Sequence, residues 1–363
     1  MLTVIVSVLV FGFLIFIHEF GHYISARIFK VTIEEFSIGM GPRLVSWVSK
    51  KNNIRYSIAL LPIGGFVMMP GENGEDTDNE EDPYANDPNT FGKKPVWQRF
   101  IITAAGATVN IVAGFLAMFI ITLSVDFGGT TVGKFYDDAA IAELSEYYGT
   151  EISVMSRDYG LQENDRILKV DGKRVRILDE VSYEIMRKGN EPIDIVIERN
   201  GEKITLYDVV FPVVEQQEQT FGLMDFQIYK VDKTFGSVMK YTFVKGALIV
   251  RMVWESLIDL ITGRYSFAAV SGPIGISSAI GDAAKAGFIS LLNMVVLISI
   301  NLGVMNLIPF PALDGGRLLT QIIEMVTRKR LPAKVEGIIN AAGFAILMTF
   351  MLIVMVKDIF AFI

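Results

Sequence analysis

Hydrophobic and polar positions fall into long blocks along the chain, and four apolar blocks predict membrane-spanning helices. The first covers residues 1–29 and opens with an almost unbroken apolar run. At about 1.5 Å of rise per residue, a helix of that length crosses a hydrocarbon core of roughly 30 Å. The other spans are predicted at 99–125, 288–308 and 338–363. The expected fold class is therefore an α-helical membrane protein with about four transmembrane helices.

Between the second and third spans the pattern becomes that of a small soluble module. Strand-like runs alternate with turn signals such as Asn200-Gly201, which predicts a compact α+β domain at 128–213. A short helix is expected inside it, around Ala139 to Tyr148.

The segment at 214–287 is predicted to connect this domain to the third span and to contain an amphipathic helix. In the run Thr234 to Ile261, Arg251, Glu255 and Asp259 recur every four residues on one face, with apolar residues on another. We expect this helix to lie on the outer membrane surface or against the spans. Charges in its middle argue against a fifth span.

The segments 30–98 and 309–337 carry basic residues beside the spans, so the positive-inside rule predicts that both face the cytoplasm. The α+β domain would then lie outside. Strand formers at Ile54 to Met69, interrupted by Gly64-Gly65, predict a β-hairpin that is either cytoplasmic or membrane-associated.

Composition supports a membrane protein and limits its chemistry. Of the 363 residues, 51% are hydrophobic, and the mean hydropathy of +0.43 is too high for an ordinary soluble enzyme. The net charge of -7, to which a predicted flexible acidic stretch at 71–82 contributes, argues against nucleic acid as a partner. The chain has no cysteine, which excludes disulfide bonds, thiol nucleophiles and thiolate metal ligands.

Both histidines of the chain stand in one window, the HExxH motif His18-Glu19-Phe20-Gly21-His22. Positions i and i+4 share a helix face, so both imidazoles can bind one zinc ion while Glu19 reaches a water beside it. Zinc at an open site lowers the pKa of bound water to about 7, and a nearby carboxylate then acts as general base. Chance matches to this motif are common in soluble proteins, but ionisable groups inside an apolar helix need compensation, which a metal supplies. Zn²⁺ is the expected cofactor.

A catalytic zinc usually keeps three protein ligands, and Asp314 is the leading candidate for the third. It follows the third span, where Pro309 and Pro311 break the helix, and Gly315 and Gly316 after it permit close backbone approach. Irregular backbone at membrane depth is tolerated where it lines a cavity. The alternative is an ordinary helix-ending loop at the interface.

HEFGH in the first span together with NLIPFPALDGG near the third resembles the site-2 protease family of intramembrane zinc metalloproteases, specifically its bacterial group with an inserted PDZ domain. The resemblance runs through nearly the whole chain. It includes LLPIGGFVMMPGE, a PDZ pattern at Gly160 to Val175 and SGPIGI at Ser271 to Ile276. It implies that the module at 128–213 is an extracytoplasmic PDZ domain and that Asp314 is the third zinc ligand.

The resemblance also implies how a substrate is held. Asn301 and Asn306 match asparagines that hold the substrate backbone in the family, and a side-chain amide can pair with exposed peptide groups. Gly64, Gly65 and Phe66 would belong to a membrane-embedded β-loop whose edge strand receives an extended substrate.

The sequence departs from the family pattern in two places. Asp137 to Tyr159 replaces a short stretch of small residues and proline, which leaves open whether the PDZ groove is accessible. At Gly106 to Asn110 the chain reads GATVN where relatives often have a glycine-proline pair, and we interpret this as a packing variation.

The family resemblance implies an intramembrane zinc endopeptidase that cleaves single-span membrane proteins, such as anti-sigma factors and remnant signal peptides. Its partners would be these substrates and membrane lipid, and its location the bacterial cell membrane, with the active site towards the cytoplasm and the PDZ domain outside. The alternative is a non-catalytic membrane PDZ adaptor with a structural zinc. Glu19 argues against this alternative, because a structural site needs no general base and normally has four protein ligands.

Overall fold

The computed structural model describes residues 2–72, 83–84, 86–216, 219–264 and 270–362, so most of the expected acidic stretch lies outside the described residues. The chain divides into two compact units: Met1–Ala117 with Val270–Ile363, and Met118–Ala269. In the described ranges the helices are α1 (Leu2–Ile28), α2 (Val96–Ser124), α3 (Asp138–Tyr148), α4 (Leu178–Lys188), α5 (Phe235–Ile261), α6 (Pro273–Ala286), α7 (Phe288–Leu307), α8 (Asp314–Thr327) and α9 (Ala333–Phe362). The strands there are β1 (Glu35–Val48), β2 (Arg55–Met68), β3 (Gly128–Phe135), β4 (Arg166–Val170), β5 (Lys173–Arg174), β6 (Ile193–Arg199), β7 (Glu202–Val209), β8 (Val213–Gln216), β9 (Gln219–Gly222) and β10 (Phe226–Lys230).

Four helices in the described part of the chain are long and apolar enough to cross a membrane: α1, α2, α7 and α9. They coincide with the four predicted spans to within a few residues at each end. Many of their apolar side chains are exposed, as for Leu9 and Phe13 of α1 and Ile346 of α9. A continuous apolar surface of this kind is unfavourable in water and suits a lipid environment, so the chain is a membrane protein.

Helix α2 approaches both α1 and α7 closely, at points where glycine removes a side chain. A β-carbon on Gly21 of α1 would lie 2.6 Å from the carbonyl oxygen of Ala105. One on Gly303 of α7 would lie 2.8 Å from the carbonyl oxygen of Ala107. Helices in a bilayer associate through close packing of this kind, because burial from lipid gives little hydrophobic driving force.

Strands β1 and β2 are long and bent, and together they form a small mixed sheet. Gly39 and Gly41 both adopt a φ of +90°, which turns β1 in its middle. Residues 35–38 pair in parallel with 55–58 on one side and antiparallel with 65–68 on the other. The segment 65–68 therefore forms an edge of this sheet.

The hairpin turn near β2 lies at a different position from the predicted one. The strand formers at Ile54 to Met69 do form a strand, but the hairpin turn expected at Gly64-Gly65 is wrong. Gly64 has a φ of +87° and only bends β2. The turn lies instead at 49–54, between β1 and β2, because residues 43–48 at the end of β1 pair in antiparallel fashion with 55–59 at the start of β2.

The second unit contains a sheet with the strand order β10-β3-β4-β6-β7, and β5 pairs with β4. Apolar side chains from the strands and from α4 form its core, among them Val181, Ile195 and Phe226. Helix α3 lies where a short helix is predicted. The predicted end of this domain at 213 is too early, because β10 pairs with β3 and carries the fully buried Phe226.

The charged face of α5 contacts α4 within the second unit. Arg187 of α4 pairs with Glu255 and, at 2.6 Å, with Asp259, while Arg251 of α5 pairs with Glu184. Removal of one partner would leave a shielded charge without compensation, so this network holds α5 against the domain. The other face of α5 exposes apolar side chains, among them Trp254, Ile258 and Ile261.

The structure contains two helices that the sequence did not predict: α6, after the predicted amphipathic helix in the segment 214–287, and α8 in the predicted loop 309–337. Asp358 of α9 accepts hydrogen bonds from the amides of Gly272 and Gly275 at 3.3 and 2.9 Å. A carboxylate at a helix N-terminus stabilises that helix. Local sequence patterns cannot show a contact that joins such distant parts of the chain.

Replacing Gly303 by alanine tests the packing of α2 against α7. The added β-carbon would overlap the Ala107 carbonyl, so we expect a loss of about 1–3 kcal/mol in stability. Gly12→Ala is the matched control, because a β-carbon there meets no atom within 4 Å and alanine favours the helix. Thermal unfolding in detergent measures both variants, and equal stability would contradict the close approach.

Candidate metal centre and active site

Two histidines of α1 and the first residue of α8 lie together in the first unit. His18 Nε2 and His22 Nε2 are 3.2 and 3.3 Å from Asp314 Oδ2, and the two imidazole nitrogens are 3.3 Å apart. Helical spacing places the histidines on one face of α1. The carboxylate comes from a distant part of the chain, as predicted for the third member of the group.

Helix α2 leaves room for both imidazoles at Gly106. A β-carbon there would lie 2.3 Å from His22 Nε2 and 2.9 Å from His18 Cε1, so a side chain would displace the histidines. One turn earlier, the carbonyl oxygen of Ile102 lies 2.8 Å from His22 Nδ1. The GATVN segment, interpreted from the sequence as a packing variation, therefore lies against the site itself.

The chain between α7 and α8 folds tightly to present Asp314. The Phe310 amide donates a hydrogen bond to the Ile308 carbonyl oxygen at 2.6 Å. β-Carbons on Gly315 and Gly316 would lie only 2.0 and 2.5 Å from the carbonyl oxygens of Ile308 and Phe310. The close backbone approach expected for these two glycines is therefore confirmed.

Helix α8, which begins at Asp314, is anchored by two ion pairs. Arg317 pairs with Glu72, which follows β2, and Glu324 pairs with Arg99 of α2 at 2.5 Å. Burial raises the pKa of Glu72, although the Arg317 guanidinium acts in the opposite direction. Together these contacts hold α8, and with it Asp314, against the sheet and α2.

The three side chains fit a metal ion. Asp314 Oδ2 is buried and has no hydrogen-bond partner among the described residues, and the three ligand atoms lie within 4.8 Å of one another. Ligand atoms about 2.0–2.1 Å from a tetrahedral zinc ion lie about 3.3 Å from each other, which is close to the spacings observed here. The Ile102 carbonyl accepts the Nδ1–H of His22, which leaves Nε2 of that ring to bind a metal.

A cavity of about 1050 Å³ opens beside this group, and Glu19 lines it together with Gly65 and Phe66 of β2 and Asn340 of α9. Gly65 approaches Glu19 closely, since a β-carbon there would lie 2.9 Å from Glu19 Cγ. The sheet edge, the glutamate of the HExxH motif and the metal-binding group therefore share one cavity.

Some residues expected to bind substrate lie away from this cavity. Gly65 and Phe66 line it, whereas Gly64 is not among its described lining residues and forms the bend beside them. Asn301 is exposed and Asn306 half-buried on α7, and neither is among the described residues that line the cavity.

Three further residues belong to the site, although no sequence motif marked them: Glu72, Arg317 and Asn110. Glu72 and Arg317 line the cavity, and Asn110 Nδ2 lies 3.3 Å from His18 Nδ1. The sequence does carry a signal that could have identified these residues. A charged or amide side chain beside or inside an apolar segment is costly and often has a functional role.

Known proteins are similar to this chain over nearly its whole length. The family model for peptidase family M50 matches residues 6–350. The zinc metalloprotease RasP of Geobacillus kaustophilus is 31% identical over 422 aligned residues, which cover 98% of this chain and 97% of that protein. The regulator of sigma-W protease RasP of Bacillus subtilis is 28% identical, with 98% of each chain covered. A Clostridium acetobutylicum protein with a provisional zinc metalloprotease name is 33% identical, with 98% of this chain and 97% of that protein covered.

Asp314→Asn tests the carboxylate as a metal-binding group. The variant keeps the shape of the side chain but removes its charge, so we expect zinc affinity to fall about tenfold or more. Zinc per chain and competition with a chelator measure this. Glu19→Gln is the control and should keep its zinc, because this side chain is expected to contact water and not the metal. Unchanged affinity in Asp314→Asn would contradict the assignment.

Proposed function

The chain belongs to peptidase family M50 and is a zinc metalloprotease, and we propose that it cleaves single-span membrane proteins within or beside the bilayer. In this proposal His18, His22 and Asp314 bind the zinc ion, and Glu19 is the general base. The observation that carries the proposal is the convergence of three ligand atoms, one of them the buried Oδ2 of Asp314, in a cavity that Glu19 also lines.

The number of protein ligands favours catalysis over a structural metal. Among the described residues, the group that could hold a metal contains two histidines and one aspartate. A structural zinc normally has four protein ligands, whereas a catalytic zinc keeps one position for water. The adjoining cavity supplies the space that a water and a peptide carbonyl require.

His18, His22 and Asp314 would hold the zinc ion, which would supply a Lewis acid for the scissile carbonyl and a bound water with a pKa of about 7. The Glu19 carboxylate takes a proton from that water as its oxygen bonds to the carbonyl carbon. The protonated Glu19 then gives the proton to the amide nitrogen as the C–N bond breaks. Glu19 returns to its ionised form, and the carboxylic acid formed gives its remaining proton to the amine, so the products are a carboxylate and an ammonium group.

The edge segment 65–68 supports a mode of substrate binding by strand addition. It pairs with 35–38 on one side. Gly65 and Phe66 line the same cavity as Glu19. An extended peptide added to this edge would pass the metal centre with its backbone exposed. A transmembrane substrate must unwind locally to do so, and we propose that Asn301 and Asn306 pair with the peptide groups that unwinding exposes.

The similarity to a relative named regulator of sigma-W protease supports anti-sigma factors as a substrate class, with remnant signal peptides as a second. The basic residues in 30–98 and 309–337 support an active site towards the cytoplasmic face of a bacterial cell membrane. The sheet and α4 of the second unit would then form an extracytoplasmic PDZ domain. It would act as a size filter or a docking platform for substrates already shortened outside, in contact with membrane lipid.

The experiment that tests this function incubates the purified enzyme with a truncated single-span substrate and measures fragment masses. We expect cleavage inside or next to the substrate span by the wild type, and a loss of about a thousandfold or more in Glu19→Gln, since the general base is absent. Glu146→Gln, an exposed change of the same type on α3, should cleave normally. Equal cleavage by Glu19→Gln would remove the proposed mechanism, and fragments cut only in soluble regions would remove the intramembrane activity.

Gly65→Ala tests the contact between the sheet edge and the base. The new methyl group must displace Glu19 or shift the edge strand, so we expect the cleavage rate to fall about tenfold to a hundredfold. Zinc content should stay at the wild-type value, because the change does not reach the metal-binding atoms. Unchanged cleavage would show that the close approach has no role in positioning Glu19.

A further inference from the structure

Asn110 of α2 lies beside the metal centre and has no role in the chemistry proposed above. Its side chain is fully buried in α2, with Nδ2 at 3.3 Å from His18 Nδ1. Its Oδ1 is buried and has no hydrogen-bond partner among the described residues. A buried amide inside a membrane helix is costly unless its polar atoms are paired, so this residue requires a physical explanation.

We propose that Asn110 is a positioning residue that accepts a hydrogen bond from the Nδ1–H of His18 and so aims Nε2 of that ring at the metal. The inference rests on the proposed role of His18 as a ligand. In that role Nε2, which lies 3.2 Å from Asp314 Oδ2, must carry a free lone pair. The proton of the neutral imidazole then stays on Nδ1, which becomes a donor that needs an acceptor.

The amide of Asn110 meets this need when its oxygen faces His18. The oxygen and nitrogen of an amide are nearly the same size, so a rotation of the amide by 180° preserves the packing. It replaces a contact between two donors with a donor–acceptor pair, and it moves the NH2 group to the position where the described residues provide no partner. Nδ1 of His18 is then satisfied in the only protonation state that suits a metal ligand.

The second histidine is held in the same way by a different group. His22 Nδ1 lies 2.8 Å from the Ile102 carbonyl oxygen, two turns before Asn110 on the same helix. Helix α2 therefore provides a polar group beside Nδ1 of each ring, a backbone carbonyl for His22 and a side-chain amide for His18. Metal-binding histidines generally donate their second ring N–H to such an acceptor, which fixes the ring and the tautomer.

Helix α7 fixes the position of α2 at this residue. Ser299 Oγ donates a hydrogen bond at 2.7 Å to the backbone carbonyl oxygen of Asn110, and Ser299 is itself buried. Asn110 is therefore held by its backbone and can act on His18 through its side chain. A residue whose role was only to fill space would not need an amide side chain or a backbone hydrogen bond to Ser299 of α7.

The test measures zinc affinity of the full-length protein in detergent by competition with a chelator, and uses Co²⁺ absorption as a second readout. Asn110→Leu keeps the volume but removes the acceptor, and we expect zinc affinity to fall about 10- to 100-fold and the Co²⁺ spectrum to change. Asn110→Asp keeps an acceptor and should bind zinc within about threefold of the wild type or more tightly. Asn293→Leu, which changes a half-buried asparagine of α7 paired with the Ile289 carbonyl, is the control and should leave affinity unchanged.

Two results would overturn the proposal: wild-type affinity in Asn110→Leu, or an equal loss in Asn110→Leu and Asn110→Asp. If Asn110→Leu does not fold, as judged by thermal unfolding without metal, Asn110→Ala replaces it and the same comparison with Asn110→Asp applies. His18→Ala separates this inference from the proposed function. Weak zinc binding by His18→Ala with normal binding by Asn110→Leu removes only the role of Asn110. Normal binding by His18→Ala removes the ligand set itself.

Discussion

The structure depends on one constraint: two imidazoles and a carboxylate lie together in a protein whose surface is otherwise suited to lipid. Such groups are expensive to remove from water, and their cost is offset only when they are paired, hydrogen-bonded or bound to a metal. His18, His22 and Asp314 meet this requirement as a group, with Asp314 Oδ2 left for a ligand that the protein alone does not provide. The packing of α1, α2 and α8 is arranged around that group.

Glycine is the residue that makes this packing possible. Gly21 and Gly106 allow α1 and α2 to approach until backbone and imidazole are in contact, and Gly315 and Gly316 allow the chain after α7 to turn back on itself. In each case an ordinary side chain would push the metal-binding atoms apart. The centre therefore gains its rigidity from backbone contacts, which vary less than contacts between long side chains.

The proposed cleavage of membrane substrates would need an extended substrate backbone and a water molecule at the metal centre. The bent sheet of β1 and β2 brings an edge strand beside Glu19, where the proposal places the substrate. The cavity offers space for water and has a polar wall formed in part by the Glu72–Arg317 pair. The second unit has its own core and its own ion-pair network, so its folding does not rely on the chemistry of the first.

The spacing of residues within single helices was enough to predict the spans, and it pointed to His18 and His22 as candidate metal ligands and to Glu19 as the candidate general base. It also pointed to Asp314, because the chain has no cysteine or third histidine and this aspartate stands between the prolines and glycines that follow the third span. Only the tertiary structure decided which strand forms an edge, that β10 completes the sheet of the second unit, and that Gly106, Asn110 and Glu72 belong to the site. Asn301 and Asn306, chosen by resemblance, lie outside the described lining of the cavity. The physical reason is that these features depend on contacts between distant segments, whereas periodicity and propensity report only on neighbours along one element.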